Sequence, residues 1–232
     1  MDFPFTGQQI EEIVNWTLPG LTMYYRDADL STDIIEKYEA GKIFRSQTFV
    51  DVSSFAGRLT KNCRFIIATN KAASLYQINP DTDKWKLHTI NANSYFKVLD
   101  IYKKGDQTQL FLLHIPAQGI EFFRNTVLKL GGNNLEEQLI GKARTSLDQK
   151  MEMAPVDALE EFDWVNRTAF PIGLDHNNEF FSINPTGELY EPAVPLYNAI
   201  VKMTKDTALN VPTIIKPESP KEERGFWKRL FG

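Results

Sequence analysis

The residues best equipped for chemistry in this 232-residue chain are three histidines, one cysteine and one carboxylate set among apolar residues. His88 and His114 stand on predicted strands, and neither has a second ligand at a spacing that binds a metal. Cys63 would need a histidine beside it to act as a nucleophile, and no motif places one there. We therefore expect no catalytic residue, no metal site and no cofactor.

Asp100 is the carboxylate in question, because it interrupts an apolar run in the middle of a predicted hairpin. Burying a carboxylate without a partner is costly. Asp100 therefore needs a basic or N–H partner, or it lies where the sheet opens onto a pocket. The second alternative predicts a ligand pocket lined by Asp100, or by His88 and His114.

The segment at 175–179, with the sequence DHNNE, gathers oxygen and nitrogen atoms of the kind that bind cations. A calcium loop has glycine at its sixth position and a bidentate acid at its twelfth. Phe180 and Thr186 occupy those positions here. The segment is therefore predicted to be a turn, in which asparagine tolerates a positive φ.

The C-terminal end carries the clearest candidate for contact with a partner. Residues 216–224 are polar, charged and proline-containing, which predicts a tether that does not fold alone. The octapeptide that follows is aromatic and basic, which suits a docking peptide or a membrane-surface contact. Packing against its own domain or a sister subunit is the structural alternative. The predicted docking residues are Phe226, Trp227, Lys228, Arg229, Leu230 and Phe231.

Composition and charge describe a globular protein and exclude several classes. Apolar residues make up 42% of the chain and charged residues 24%, as in a domain with its own core. The net charge of −4 argues against a nucleic-acid partner, which needs a basic field. One cysteine, no apparent signal peptide and no long apolar stretch predict a cytoplasmic protein, alternatively one attached peripherally to a membrane.

Turn chemistry and apolar periodicity predict the elements that position these residues. The turn at 104–107 is the strongest hairpin signal, joining strands at 95–103 and 108–115. In that hairpin Phe96, Val98 and Asp100 are expected to share a face with Phe111, Leu113 and Ile115. Further strands are predicted at 64–70, 74–79 and 85–90. Helices are predicted to begin near Thr6, Ser31, Pro116, Asn134, Pro155 and Pro195.

These elements predict an α+β fold with a central, mostly antiparallel sheet flanked by helices. A globular body is expected over residues 1–212 and a flexible tail over 213–232. Segments 65–80 and 170–185 align without a gap, and both end in Ile-Asn-Pro. Two interpretations stay open, a duplication that made two related α/β halves or a coincidence of hairpin chemistry.

The functional interpretation from the sequence rests on the absence of any motif that specifies a reaction. We expect a non-catalytic interaction or adaptor protein that docks onto a protein partner or a sister subunit through its tail. The alternative is a small-ligand-binding protein or an enzyme, with a pocket near the central hairpin.

Overall fold

The computed structural model of the protein describes residues 5–130, 133–183, 187–206 and 212–216. Its helices are α1 (Gly7–Thr17), α2 (Thr32–Ile35), α3 (Ile120–Asn125), α4 (Leu135–Met151), α5 (Phe162–Thr168) and α6 (Val194–Thr204). Its strands are β1 (Thr22–Ala28), β2 (Ile43–Ser46), β3 (Val50–Ser53), β4 (Cys63–Thr69), β5 (Ala72–Ser74), β6 (Leu87–Ile90), β7 (Ser94–Lys104), β8 (Gln107–Ile115), β9 (Lys129–Leu130), β10 (Asn133–Asn134), β11 (Glu188–Tyr190) and β12 (Thr213–Ile215).

Eight of these strands form one sheet in the order β2-β7-β8-β4-β1-β3-β6-β5. Neighbouring strands run antiparallel, except that β4 and β8 run parallel. Two short ladders, β9 with β10 and β11 with β12, stand apart from the sheet. The predicted α+β class with a mostly antiparallel central sheet is confirmed.

Both faces of the sheet are covered, which is why every residue of β4 is buried. Successive side chains of a strand point to opposite faces, so Phe65 and Ile66 belong to different apolar clusters. The first face, which carries Phe65, packs against the chain after α5, including Ile172. The second face, which carries Ile66, packs against α1 and α4, including Ile13 and Leu139.

The central hairpin forms where the sequence predicted it, with Lys104 opposite Gln107 and Gly105 at a φ of 62°. Its predicted register is half wrong. Asp100 lies opposite Phe111, as expected, but the register shifts between Val98 and Asp100. A β-bulge adds one residue to a strand, and this reverses the side-chain phase on either side of it. Phe96 and Val98 therefore lie on the first face with Leu110 and Leu112, away from Phe111.

Four strands outside the central hairpin, namely β1, β2, β3 and β5, depart most from the sequence-based prediction. Strands β1, β2 and β3 were not predicted, since β1 is rich in polar residues and the other two have four residues each. The strand predicted at 74–79 is wrong, because β5 ends at Ser74 and residues 75–77 form a 3-10 turn. Apolar runs this short do not separate strand from turn or helix by periodicity.

Helix α4 follows its sequence pattern closely. The side chain of Asn134 accepts a hydrogen bond from the backbone N–H of Glu137 at 3.2 Å, which is the predicted N-cap. Leu139, Ala143 and Leu147, spaced four residues apart, are all buried. The predicted helix and its inward face are confirmed.

The two segments that echo each other in sequence have different structures. Residues 65–80 include most of β4 and all of β5, whereas residues 170–183 contain the isolated bridges Leu174↔Phe180 and Arg45↔Phe181. The duplication itself stays a prediction. Thr213–Ile215, at the start of the predicted tail, pairs in parallel with Glu188–Tyr190. In the described part of the chain, no helix has the length and apolar character needed to cross a membrane.

Candidate ligand site

A cavity of about 630 Å³ lies between the edge of the first face and the chain that follows α5. Arg26 of β1 and Ser46 at the end of β2 line one side, and Val50 of β3 continues it. Arg167 and the stretch from Phe170 to Asn178 line the other side. Pockets of roughly 300–1,000 Å³ are typical of small-molecule sites.

Arg26 is the charged group inside this cavity wall, and only 6% of its surface is exposed. Its Nε donates a hydrogen bond to the Thr168 carbonyl at 3.2 Å, and its Nη2 donates to the Phe170 carbonyl at 2.5 Å. No carboxylate of the described residues forms an ion pair with it. The guanidinium is therefore held in place by backbone dipoles while its charge stays uncompensated at close range.

Burial lowers the pKa of Arg26 to about 10, against the opposing influence of Asp51 and Tyr38. The group is still protonated near neutral pH. A buried charge without an ion-pair partner is costly in a folded protein. An anion entering the cavity would relieve that cost.

Arg167 supplies a second guanidinium at the cavity, with 41% of its side chain exposed. Its Nη1 lies 2.7 Å from Oδ2 of Asp51, and Oδ1 of Asp51 accepts a hydrogen bond from the Thr89 hydroxyl at 2.5 Å. Asp51 lies on β3 and Thr89 on β6, so this network joins α5 to the sheet. Unlike Arg26, Arg167 already has an acidic partner.

The far wall is a loop whose own backbone contacts hold its shape. Oδ1 of Asp175 accepts from the backbone N–H groups of Asn177 and Glu179 at 2.8 and 2.9 Å, and Asn178 has a φ of 61°. This is the turn predicted at 175–179, and these hydrogen bonds lower the pKa of Asp175. The Tyr38 hydroxyl donates to the Ile172 carbonyl at 2.7 Å, which ties the loop to the first face.

Gly173 allows the loop to approach the sheet closely. Its φ is 83°, and a Cβ there would lie 2.3 Å from Cδ2 of Phe44. Only glycine fits that backbone conformation and that gap. The wall opposite Arg26 therefore packs directly on the sheet at Gly173.

The residues predicted to line a pocket lie elsewhere in the fold. Asp100 accepts two hydrogen bonds from Arg144 of α4, at 2.8 and 2.6 Å, so it has the basic partner that was one of its two expected outcomes. His88 packs against Tyr24, with its Nδ1 2.9 Å from the Lys86 carbonyl. The three residues do not line the cavity around Arg26. A pocket at these residues stays a prediction.

His114 is enclosed on the first face of the sheet, because it stands opposite Phe96 and because its neighbours Leu113 and Ile115 belong to the second face. Its Nδ1 lies 2.9 Å from the Thr69 hydroxyl, and its ring packs against Trp16 and Phe96. Burial, with a further effect of Lys71, lowers its pKa to about 3. The imidazole is therefore neutral at physiological pH.

Sequence reasoning missed Arg26 and Arg167. The signal for Arg26 was its phase in β1, since Tyr24, Arg26 and Ala28 alternate on the buried side of that strand. An arginine in the buried phase of an alternating strand is unusual and marks a position to examine. Arg167 gave no comparable signal, because it lies on a short helix among polar residues.

No three histidine, cysteine or acidic side chains in the described ranges lie close enough together to hold a metal ion. The expectations of no metal, no cofactor and no catalytic residue stay predictions. The expected protein partner or sister subunit stays a prediction as well.

Comparisons with known proteins give a likeness in structure only. No family model and no curated sequence matches the chain. Similar solved structures are the ADP-ribosyltransferase Vis toxin from Vibrio splendidus (13% identity, 50% of this chain and 57% of that chain, TM-score 0.35) and the ADP-ribosyltransferase HopU1 of Pseudomonas syringae pv. Tomato DC3000 (14%, 41% and 46%, 0.36). Exoenzyme S from Pseudomonas aeruginosa, bound to carba-NAD and human 14-3-3 protein beta, is another (14%, 53% and 58%, 0.38).

The chain spans about half the length of these proteins. At TM-scores of 0.35–0.38 no substrate and no residue role is transferred from them. The interpretation as a non-catalytic adaptor is contradicted by this likeness to ADP-ribosyltransferases, which by itself assigns no activity to the chain. Nothing in the described part of the chain supports a docking tail, and the six residues predicted to dock, from Phe226 to Phe231, lie outside it. The alternative of a small-ligand-binding protein or an enzyme takes its place.

Proposed function

We propose that the protein binds a small anionic ligand in the cavity around Arg26. The observation that carries the proposal is a guanidinium that is 94% buried, lines a cavity of about 630 Å³ and bonds to backbone carbonyls without an acidic partner. Carboxylate and phosphate oxygens form the strongest hydrogen bonds with arginine, because both partners are charged. A ligand of that kind fits the charge and the volume together.

Arg167 strengthens the same preference. Its guanidinium reaches the cavity from α5, and its bond to Asp51 leaves its other nitrogens to donate. The carboxylate of Asp51 accepts a hydrogen bond from Thr89, and that of Asp175, which lines the cavity, accepts from two backbone N–H groups, so both nearby negative charges are engaged. The cavity therefore favours an anion over a cation.

The proposal is tested by calorimetric titration with inorganic pyrophosphate, phenyl phosphate and NAD⁺. NAD⁺ enters as a probe because the exoenzyme S structure contains its carba analogue, while the proposal rests on the cavity alone. Binding to the wild-type protein should weaken as salt is added, since exposed parts of the site are screened. Removing a charged hydrogen-bond donor should weaken binding about 10- to 100-fold.

Two variants and a control make the test specific. Arg26→Met removes the buried charge, and Arg167→Gln removes the half-exposed charge without touching the backbone contacts of Arg26. Arg124→Gln is the matched control, because Arg124 is also about half exposed and also pairs with a carboxylate, that of Glu121. Far-UV circular dichroism checks that each variant is folded.

We expect both cavity variants to bind more weakly than the wild type and the control to bind equally. The absence of binding by the wild-type protein to every anion tested would overturn the proposal. Equal binding by all three variants would overturn it as well, because the anion would then bind elsewhere.

A cytoplasmic location belongs to the same proposal. Cys63 is the chain's one cysteine, and none of its surface is exposed. Such a thiol contributes no disulfide to the fold, which suits a reducing compartment.

A further inference from the structure

Phe170 is an exposed aromatic residue at the edge of the cavity, and 72% of its surface is open to solvent. Among the large apolar residues that the structure describes, only Phe162 is more exposed, at 76%. Burying a large aromatic side chain is energetically favourable, and an exposed ring does not gain this free energy. An aromatic ring left open beside a cavity is therefore a surface that a ligand can cover.

The backbone of Phe170 is held firmly although its ring is exposed. Its carbonyl accepts the hydrogen bond from Nη2 of Arg26, and the carbonyl of Thr168 accepts from Nε of the same guanidinium. Thr168 is fully buried, and its hydroxyl donates to the Trp164 carbonyl at 2.9 Å. Pro171 follows, and the residue before a proline is restricted to extended conformations. Covering the ring consequently costs little backbone ordering.

The position of Phe170 is tied to the proposed anion site by a single side chain. Arg26 bonds directly to the Phe170 carbonyl, and a phenylalanine ring lies only a few bonds from its own carbonyl. A small ligand can therefore contact the Arg26 guanidinium and the Phe170 ring together. The cavity wall that continues from Phe170 is apolar at Ile172 and Leu174, so this part of it accepts an uncharged ring.

We propose that the ligand carries a planar aromatic ring that stacks on Phe170 while its anionic group binds Arg26. The ligand class is then an aromatic phosphate or carboxylate. This inference rests on the proposed function, and it adds the chemistry of the uncharged part of the ligand. Aromatic pairs prefer offset-stacked or edge-to-face contacts, and these add to the effect of the buried area.

The test compares two ligands of nearly equal size, phenyl phosphate and cyclohexyl phosphate, by calorimetric titration. Both carry the same anionic group, and only the first has a π system. We expect the wild-type protein to bind phenyl phosphate about three- to tenfold more tightly, as the extra stabilisation of an aromatic pair implies.

Variants at two exposed phenylalanines identify the residue responsible. Phe170→Leu keeps an apolar side chain but removes the ring, so the preference for phenyl phosphate should vanish. Phe170→Tyr keeps the ring and should keep the preference. Phe162→Leu is the matched control, because Phe162 is equally exposed at the other end of α5 and does not line the cavity.

The outcomes separate this inference from the proposed function. If neither phosphate binds the wild-type protein, the aromatic inference is refuted, and the anion site is refuted with it only if inorganic pyrophosphate and NAD⁺ also fail to bind. If both bind with equal affinity, or if the preference survives Phe170→Leu, the anion site stands and the aromatic inference is refuted.

Discussion

Arg26 differs from Arg64, another buried arginine, in what balances its charge. Arg64, 1% exposed, bonds to both oxygens of Asp27, at 2.7 and 2.6 Å. Arg26 bonds to two backbone carbonyls instead. Carbonyl dipoles fix the direction of a guanidinium but do not neutralise it. This contrast with Arg64 supports the proposal that Arg26 binds an external anion.

The charge state of His114 leads to a prediction about stability and pH. Its pKa is lowered to about 3 in the folded protein by burial and by Lys71, whereas an unfolded histidine titrates near 6.5. Between these values the unfolded chain binds a proton that the folded chain does not. The free energy of unfolding therefore does not depend on His114 above pH 6.5. Below pH 6.5 the proton that the unfolded chain binds lowers this free energy, by up to about 1.4 kcal/mol per pH unit.

Urea unfolding between pH 4.5 and 6.5 checks this expectation. His114→Leu should show a smaller fall in unfolding free energy with acidification than the wild type, whatever its absolute stability. Identical slopes for the wild type and His114→Leu would mean that His114 takes up a proton without unfolding.

Single residues also show where sequence reasoning reaches its limit. The need of Asp100 for a partner followed from its apolar neighbours alone. The identity of that partner did not, because Arg144 lies 44 residues away and meets Asp100 only when α4 packs on the second face. Arg26 was hidden for the same reason, since the carbonyls that hold it belong to Thr168 and Phe170. Which residues meet across a long stretch of chain depends on the topology of the fold, and no local sequence pattern predicts that topology.

At the scale of elements, several local signals predicted structure correctly, but the helix predicted to begin near Pro155 begins at Phe162, after a 3-10 turn at Asp157–Leu159. The hairpin turn at Gly105, the N-cap of α4 and the buried four-residue spacing of that helix all formed as expected. The bulge next to Asp100 did not follow from the sequence, because an inserted residue changes cross-strand pairing and not the composition of the strand. The short strand β2 pairs with the longer β7, and β3 pairs with the equally short β6, so both depend on partners distant in sequence.

The start of α1 provides a direct test of a local signal. The Thr6 hydroxyl accepts from the Gln9 backbone N–H at 3.2 Å, and the Gln9 side chain accepts from the Thr6 N–H at 2.8 Å. Thr6→Ala removes this capping box and should lower the free energy of unfolding by about 0.5–2 kcal/mol. Chemical denaturation of the purified variant measures the change.

A second threonine controls for the loss of the side chain itself. Thr145 is exposed inside α4, where alanine is the better helix former. Thr145→Ala should therefore be neutral or slightly stabilising. If both substitutions cost the same, the capping box of α1 contributes nothing to the stability of the whole protein.

At the scale of the whole molecule, the narrowest point of the sheet is the junction between β1 and β3. These strands meet through one residue pair, Tyr25 and Ser53, whereas β1 and β4 pair over seven residues. Backbone hydrogen bonding alone would allow β3, β6 and β5 to open as a separate unit. The apolar core opposes this, because Val52 and Ile90 belong to the same cluster as Tyr24 and Phe65.

Hydrogen exchange measured by mass spectrometry distinguishes these two forces. If the shared core dominates, amides in β6 should open with a free energy within about 1 kcal/mol of that for β4, near the value for global unfolding. If the hydrogen-bonded junction dominates, the amides in β6 should exchange through an opening of much lower free energy, while those in β4 stay protected. The second result would mean that the sheet folds as two units, and the Asp51–Arg167 pair at the cavity would then join two parts that move independently. We expect the first result, because the first face buries side chains from both sides of the junction in one contiguous cluster.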